Sequence, residues 1–262
     1  MGKRLFLLTV AVVIVYSSAV FALDAMGPAA SELKQGKFNT GIEFSSSWID
    51  LRLDQGKYFD GISWSDLASV NIDSEVFKLF VLFGYGITDN VEAFLRFDAA
   101  NINFEGDTPM GPSATFNGQH GCAIGFGTKA TFYQTDNLKL GGLFQVSWSN
   151  SEGKMKTDTE TWKLDLELIE YQFAVGPIYK LMDGVSIYGG PFLHFVDGDV
   201  DGKRTSPSNT RKLSWDIDER SRFGGYIGTQ INIIKNAPFY IEYQHTAHAD
   251  ALGMYMTLVL GP

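Results

Sequence analysis

From Val91 onward the chain alternates. Val91, Ala93, Leu95, Phe97 and Ala99 take one parity, and Glu92, Arg96 and Asp98 share the other with Phe94. Successive side chains of a strand point to opposite faces, so this stretch is a strand with one apolar and one charged face. About ten such segments follow residue 36, and no long helical period interrupts them. Their apolar rows start at Phe38, Thr40, Ile42 and Phe44, continue with Phe77 to Tyr85, and include Ile124, Phe126 and Phe132 and the row Leu138 to Trp148. Val185 to Phe195, Phe223 to Ile231, Phe239 to Tyr243 and Leu252 to Leu260 complete the set. One segment is irregular: Trp162, Leu164, Leu166 and Leu168 keep one parity, while Tyr171, Phe173 and Val175 keep the other. A bulge near Ile169, or an extension of the strand beyond the membrane, accounts for it.

The connections alternate too. Short turns rich in Asn, Asp and Gly occupy 86–90, 134–137, 181–184 and 234–237. Long polar stretches, read as loops, take the other ends at roughly 54–73, 102–120, 149–161 and 198–213. Strands alternating over nine or more residues are long for a soluble sandwich and match a tilted crossing of a bilayer. The apolar parity is therefore expected to face lipid. Because hydrocarbon cannot satisfy an open sheet edge, the sheet must close on itself. The expected fold is an all-β, transmembrane, antiparallel up-and-down β-barrel of about ten strands.

At this point the sequence resembles the bacterial outer-membrane β-barrel proteins. The hairpin "YGITDNVEAFLRF", the aromatic-rich strand ends and a closing strand "LGMYMTLVL" carry the resemblance. It implies an outer-membrane protein of a Gram-negative cell envelope, with the lipid bilayer and the outer-membrane assembly machinery as partners. Such proteins usually end in Phe or Trp, whereas this chain ends Leu260-Gly261-Pro262. An even strand number puts both termini and the short turns in the periplasm. Trp48, Tyr85, Phe132, Trp148 and Tyr179 are candidates for the interfacial aromatic girdle.

The start of the chain reads as an export signal over residues 1–22. Lys3 and Arg4 precede an apolar run, and Val20-Phe21-Ala22 offers a cleavage site. Residues 23–35 then form a periplasmic N-terminal segment, and 36–262 the barrel. Loss of Lys3 and Arg4 deepens the net charge from −9 to −11, which disfavours nucleic acid as a partner. Cys122 is the only cysteine, so no disulfide forms within the chain.

The polar parity supplies a charged lumen: Glu43, Lys78, Glu92, Arg96, Asp98, Lys129, Lys139, Glu170 and Glu242, with Gln145, Gln172, Gln230 and Gln244 among them. Tyr188, Phe192, Tyr226 and Tyr240 share that parity and favour filling. Charges in a narrow bore must pair, so a side-chain-filled lumen with a structural or surface-interaction role is expected. The alternative is a narrow porin-like channel for small solutes or ions. No cofactor is expected.

Two further elements carry chemistry. Asp197, Asp199 and Asp201 followed by Gly202 match the first half of a calcium loop, but Ser208 stands where the closing Glu belongs. His245, His248 and Asp250 cluster at the outer end of a strand. They resemble the site of the lipid A deacylase barrels, where a serine follows the histidine by two residues; here that position is Ala247, and Thr246 points to the other face. The omptin proteases are a second comparison, but no double-Asp element matches theirs. A hydrolase is thus the third reading. A surface ligand would meet the long polar stretches near Tyr58, Phe59 and Trp64.

Overall fold

The computed structural model describes residues 23–108, 111–118, 121–157, 160–206, 209–234 and 236–260. The leader at 1–22, Ser208 and the last two residues lie outside the described residues, as does the side chain of Asp98. The described residues form thirteen strands and no helix. In chain order these are β1 (Phe38–Phe59), β2 (Trp64–Asp66), β3 (Val70–Thr88), β4 (Val91–Thr108), β5 (Gly111–Gly118), β6 (Gly121–Gln134) and β7 (Leu138–Lys156). There follow β8 (Thr161–Met182), β9 (Val185–Ser206), β10 (Asn209–Glu219), β11 (Phe223–Ile234), β12 (Ala237–Thr246) and β13 (Ala249–Leu260).

All belong to one antiparallel sheet that closes twice, at two heights. At the short-turn end the ring runs β1-β3-β4-β6-β7-β8-β9-β11-β12-β13 and returns to β1. These are the ten strands legible in the sequence; β2, β5 and β10 take the observed count beyond the expected ten, to thirteen among the described residues. At the other end β1 leaves β13 for β10, β9 exchanges β11 for β10, and β5 replaces β6 between β4 and β7. That upper ring has eight members. Six strands, β1, β3, β4, β7, β8 and β9, pass through both.

The upper ring corrects the reading of the long polar stretches as loops. Much of 54–73, 102–120, 149–161 and 198–213 is strand, paired and closed. Sequence periodicity missed it because the apolar residues there lie on the opposite parity. Along β8 the even positions point inward without interruption: Trp162, Leu164, Leu166 and Leu168 above, then Glu170, Gln172 and Ala174 below. The odd positions point outward, Lys163, Asp165 and Glu167 above and Ile169, Tyr171, Phe173 and Val175 below. Its register with β7 is continuous from Tyr179 to Thr161, so no bulge sits near Ile169. What changes is the solvent. Where hydrocarbon lies outside, apolar side chains face out and polar ones must pair within; where water lies outside, the apolar side chains turn in.

The lower ring accordingly carries an exposed apolar belt that includes Leu79, Val81, Phe83, Leu95, Phe97, Ile124, Phe126, Phe173, Val175, Leu193 and Met256. On β8 it extends from Ile169 to Leu181. At a strand rise of about 3.4 Å and a tilt near 45° that is roughly 25–30 Å, the height of an outer-membrane hydrocarbon band. Trp48, Tyr85, Phe132 and Tyr179 are all exposed on this wall. The upper ring instead encloses an apolar core of Leu51, Leu53, Ile72, Ile102, Phe116, Met155, Trp162, Leu164, Val200, Leu213, Trp215 and Ile217, each at most 3% exposed. Burying each such side chain contributes about 1.5–3 kcal/mol. Gly56 makes room for this packing, since a Cβ there would meet Trp215 Nε1 at 2.2 Å. The preceding Gln55 takes φ 51° at the bulge that offsets β1 against β10.

Residues 23–35, expected below the barrel, run inside the lower ring instead. Leu23, Asp24, Ala25, Met26, Ala29, Ala30 and Ser31 are all buried. The segment enters at the short-turn end, where Gly36 N donates to Gly86 O at 2.9 Å, and climbs until Leu23 joins the upper apolar core.

Candidate functional site

The lumen of the lower ring gathers almost every ionisable residue that the polar parity supplied. Asp24 is its centre. One carboxylate oxygen accepts from Lys78 Nζ at 2.8 Å; the other accepts from Arg96 Nη2 at 2.9 Å and Ser147 Oγ at 2.8 Å. Lys78 also bonds Glu170, and Arg96 Nη1 donates to Glu43 at 3.0 Å. The Arg96 guanidinium lies 4.6 Å from the centre of the Phe80 ring, so its flat face is covered as well. Glu170 continues the chain to His194 Nε2 at 3.4 Å, and His194 Nδ1 meets Glu219 at 2.8 Å. The run Glu43–Arg96–Asp24–Lys78–Glu170–His194–Glu219 crosses the bore as one network of alternating acids and bases, in which Arg96 and Lys78 each lie between two carboxylates.

Two more carboxylates hold the backbone of the inserted segment. Glu242 accepts from Met26 N at 2.9 Å and Gly27 N at 2.8 Å, and Glu92 accepts from Glu32 N and Leu33 N, both at 2.8 Å. Lys139 Nζ donates to Ser31 O at 3.0 Å, and Gln244 Nε2 to Asp24 O at 2.8 Å. Tyr240 and Gln230 clasp the Glu32 carboxylate at 3.0 and 2.8 Å. A loose strand inside a barrel has no ladder, so its polar groups must be met by wall side chains; this is what those residues do. Gly27 holds φ 67° with the Tyr255 hydroxyl where a Cβ would be, and Gly141 lets the wall touch the backbone of Ala30. One pocket of the lumen, bordered by Met26, Glu32, Glu43, Lys129 and Tyr255, is about 40 Å³, room for a few waters, and a second of about 300 Å³ opens at the short-turn end beside Glu32, Lys139 and Gln230.

Of the expected lumen residues, Glu43, Lys78, Glu92, Arg96, Lys129, Glu170 and Glu242 are buried in the bore, and Lys139 reaches it from the short-turn end. Sequence reasoning missed Asp24, which supplies the central carboxylate, because it follows the leader directly and belongs to no strand. It also left out of the lumen network both His194 and the Glu219 that pairs with it from β10.

The acidic triplet does not form a loop. Asp197, Asp199 and Asp201 sit on β9 at alternate positions, all facing out from the upper ring, and among the described residues no three His, Cys, Asp or Glu are gathered to hold a metal ion. They belong to rows running across strands instead: Glu167, Asp199, Asp216 and Asp54 are register neighbours on β8, β9, β10 and β1. Partial burial, then the charges of Asp201, Glu167, Asp216 and Asp197, raise the pKa of Asp199 above its ordinary 3.8.

His245 and His248 lie on the outer wall where the two rings meet. His245 Nδ1 is 2.8 Å from Asp250, which also accepts from Tyr243 OH at 2.5 Å. His248 pairs with a different acid, Asp50, at 3.2 Å. The three residues thus form two separate pairs. Thr246 is buried and its hydroxyl accepts from His248 N, which leaves it turned away from His245.

No protein-family model matches the chain, and no curated protein sequence does. Solved structures do match. The outer membrane protease OmpT of Escherichia coli superposes with a TM-score of 0.52 at 7% identity, covering 84% of this chain and 94% of that one. Looser matches are the translocator domain of autotransporter NalP from Neisseria meningitidis (TM-score 0.46, 10% identity, 88% and 90% covered) and OprG from Pseudomonas aeruginosa (0.44, 13%, 87% and 98%). At these identities the likeness is one of fold. Together with the apolar belt and the double closure, it makes this chain a transmembrane β-barrel of the bacterial outer-membrane class.

Proposed function

We propose that this protein is a non-conducting, non-catalytic outer-membrane barrel, in which the lower ring anchors and the upper ring projects outside the cell as a rigid platform for surface interaction. The observation that supports it is the filled bore: the Asp24 network and the inserted segment occupy the lower lumen, and the Trp162–Trp215 core lies directly above. An ion entering from either end meets paired charges or packed hydrocarbon. The periplasmic placement of the short turns belongs to the same reading and follows the usual build of such barrels. A hydrolase reading lacks the serine hydroxyl two residues after His245, where Ala247 stands.

Planar-bilayer recording tests this. The mature chain is expected to give no conductance steps at 1 M salt. Steady, resolved steps from the unaltered protein would overturn the sealed-bore reading in favour of a narrow channel.

A further inference from the structure

The outer surface of the upper ring is banded by charge. Its waist is acidic, through the rows of Asp197 and Asp218 and of Glu167, Asp199, Asp216 and Asp54. Above Asp165 and Asp201 comes a row of one sign only. Lys154 on β7 is opposite Lys163 on β8, Lys163 is opposite Lys203 on β9, and Lys203 is opposite Lys212 on β10. All four are exposed. Lys163 bonds Glu152 and Asp165 at 2.8 and 3.5 Å; among the described residues Lys154, Lys203 and Lys212 form no ion pair.

Like charges placed directly opposite destabilise a sheet, and three such contacts in succession are a standing cost that the fold does not need. At about 4.8 Å between strands the four ammonium groups span roughly 14 Å in a straight line. The row continues into aromatic residues: Lys212 is opposite Phe59, and Phe59 packs on the exposed Trp64 with ring centres 5.3 Å apart. A groove of about 730 Å³ opens there, bordered by Lys57, Trp64, Lys203 and Lys212, with Asp66 opposite Lys57 and with Asp165 and Asp201 along its lower side.

We infer that this lysine row, with Trp64 at its end, is the binding surface for a linear acidic polysaccharide, whose anionic groups run across the strands and one of whose sugar faces stacks on the indole. The acidic waist would repel such a chain downward and so hold it to the rim. Single-stranded nucleic acid fits less well, because such sites interleave aromatic platforms among the cations and here the aromatics stand only at one end. The inference rests on the outward placement of the upper ring proposed above.

The test uses the full mature chain in detergent, with a heparin-derived octasaccharide as probe and a (dT)12 oligonucleotide as competitor class. Wild type is expected to bind the octasaccharide with an affinity that falls as salt rises. Each Lys→Gln change in the row should weaken binding roughly fivefold, the equivalent of about 1 kcal/mol per neutralised contact. Lys154→Gln/Lys163→Gln and Lys203→Gln/Lys212→Gln are made as separate pairs, with heat-modifiable gel mobility to confirm folding, and Lys34→Gln at the short-turn end should change nothing. Unaltered affinity in both pair variants, tighter binding of (dT)12, or no octasaccharide binding at 50 mM salt would overturn the inference. Lys203→Cys in a Cys122→Ser background, probed on intact cells with an impermeant maleimide, separates the two readings. Labelling without octasaccharide binding defeats the polysaccharide site alone, and no labelling defeats the outward placement on which it rests.

Discussion

A buried ion is stable only while opposite charge meets it. Lys78 has no exposed surface, and it meets Asp24 on one side and Glu170 on the other. Lys78→Met should therefore cost on the order of 3–5 kcal/mol in urea titration of the protein in lipid vesicles, because the four carboxylates of the run are then met only by Arg96 and His194. Asp24→Asn should cost less, since Lys78 keeps Glu170 and Arg96 keeps Glu43. Equal costs would mean that the balance of charge in the run does not set its stability. On the outer surface the sign reverses. The folded-state pKa of Asp199 is raised, so between the unfolded value and the folded one the native chain holds more protons than the unfolded chain, and stability falls as pH rises through that window. Asp199→Asn should accordingly raise the midpoint of unfolding at pH 7, and its advantage over wild type should shrink as the pH is lowered toward the ordinary aspartate value. A constant advantage across that range would mean that the ionisation of Asp199, disfavoured by partial burial and then by its acidic neighbours, is not the cause.

At the scale of the element, β8 shows why part of the fold was legible and part was not. Its lower half alternates as a membrane strand does, and its upper half alternates as a soluble strand does, with one unbroken register throughout. Reading for a single outward apolar face captures the first half, and Trp162, Leu164, Leu166 and Leu168, too regular for a loop, already offered the second as an extension of the strand beyond the membrane, the alternative to a bulge at Ile169. β5 and β10 were harder: Leu213, Trp215 and Ile217 are the only strong alternation in β10, and β5 offers less. The upper core has its own energetics. Trp215→Ala removes a fully buried side chain and should cost about 3–5 kcal/mol. The loss should be local: trypsin should cut at Lys203, Arg204 or Lys212 in the variant, while the lower ring keeps its resistance to dodecyl sulfate. Loss of that resistance together with the upper ring would show that the two tiers fold as one unit.

For the whole molecule, the ten lower strands and the charges they turn inward were legible from period 2 alone, because membrane crossing imposes it on every strand. The closing of the bore was not. It depends on a segment of small residues, Ala25 to Ser31, with no periodicity to betray it, and on one acid next to the leader. The eight-membered upper ring likewise follows from strands that change partners, which no local pattern records. Both features express a single rule: each side chain faces the solvent that suits it, and the solvent outside changes partway up the wall. A nitroxide scan along β8, residues 162 to 175, in a Cys122→Ser background within lipid bilayers measures this directly. Oxygen collisions should dominate at Ile169, Tyr171, Phe173 and Val175, an aqueous relaxation agent should reach Lys163, Asp165 and Glu167, and neither should reach Leu164, Leu166, Leu168, Glu170 or Gln172. Lipid-like exposure at Leu164, Leu166 and Leu168, or aqueous exposure at Tyr171 and Phe173, would contradict the two-tier barrel.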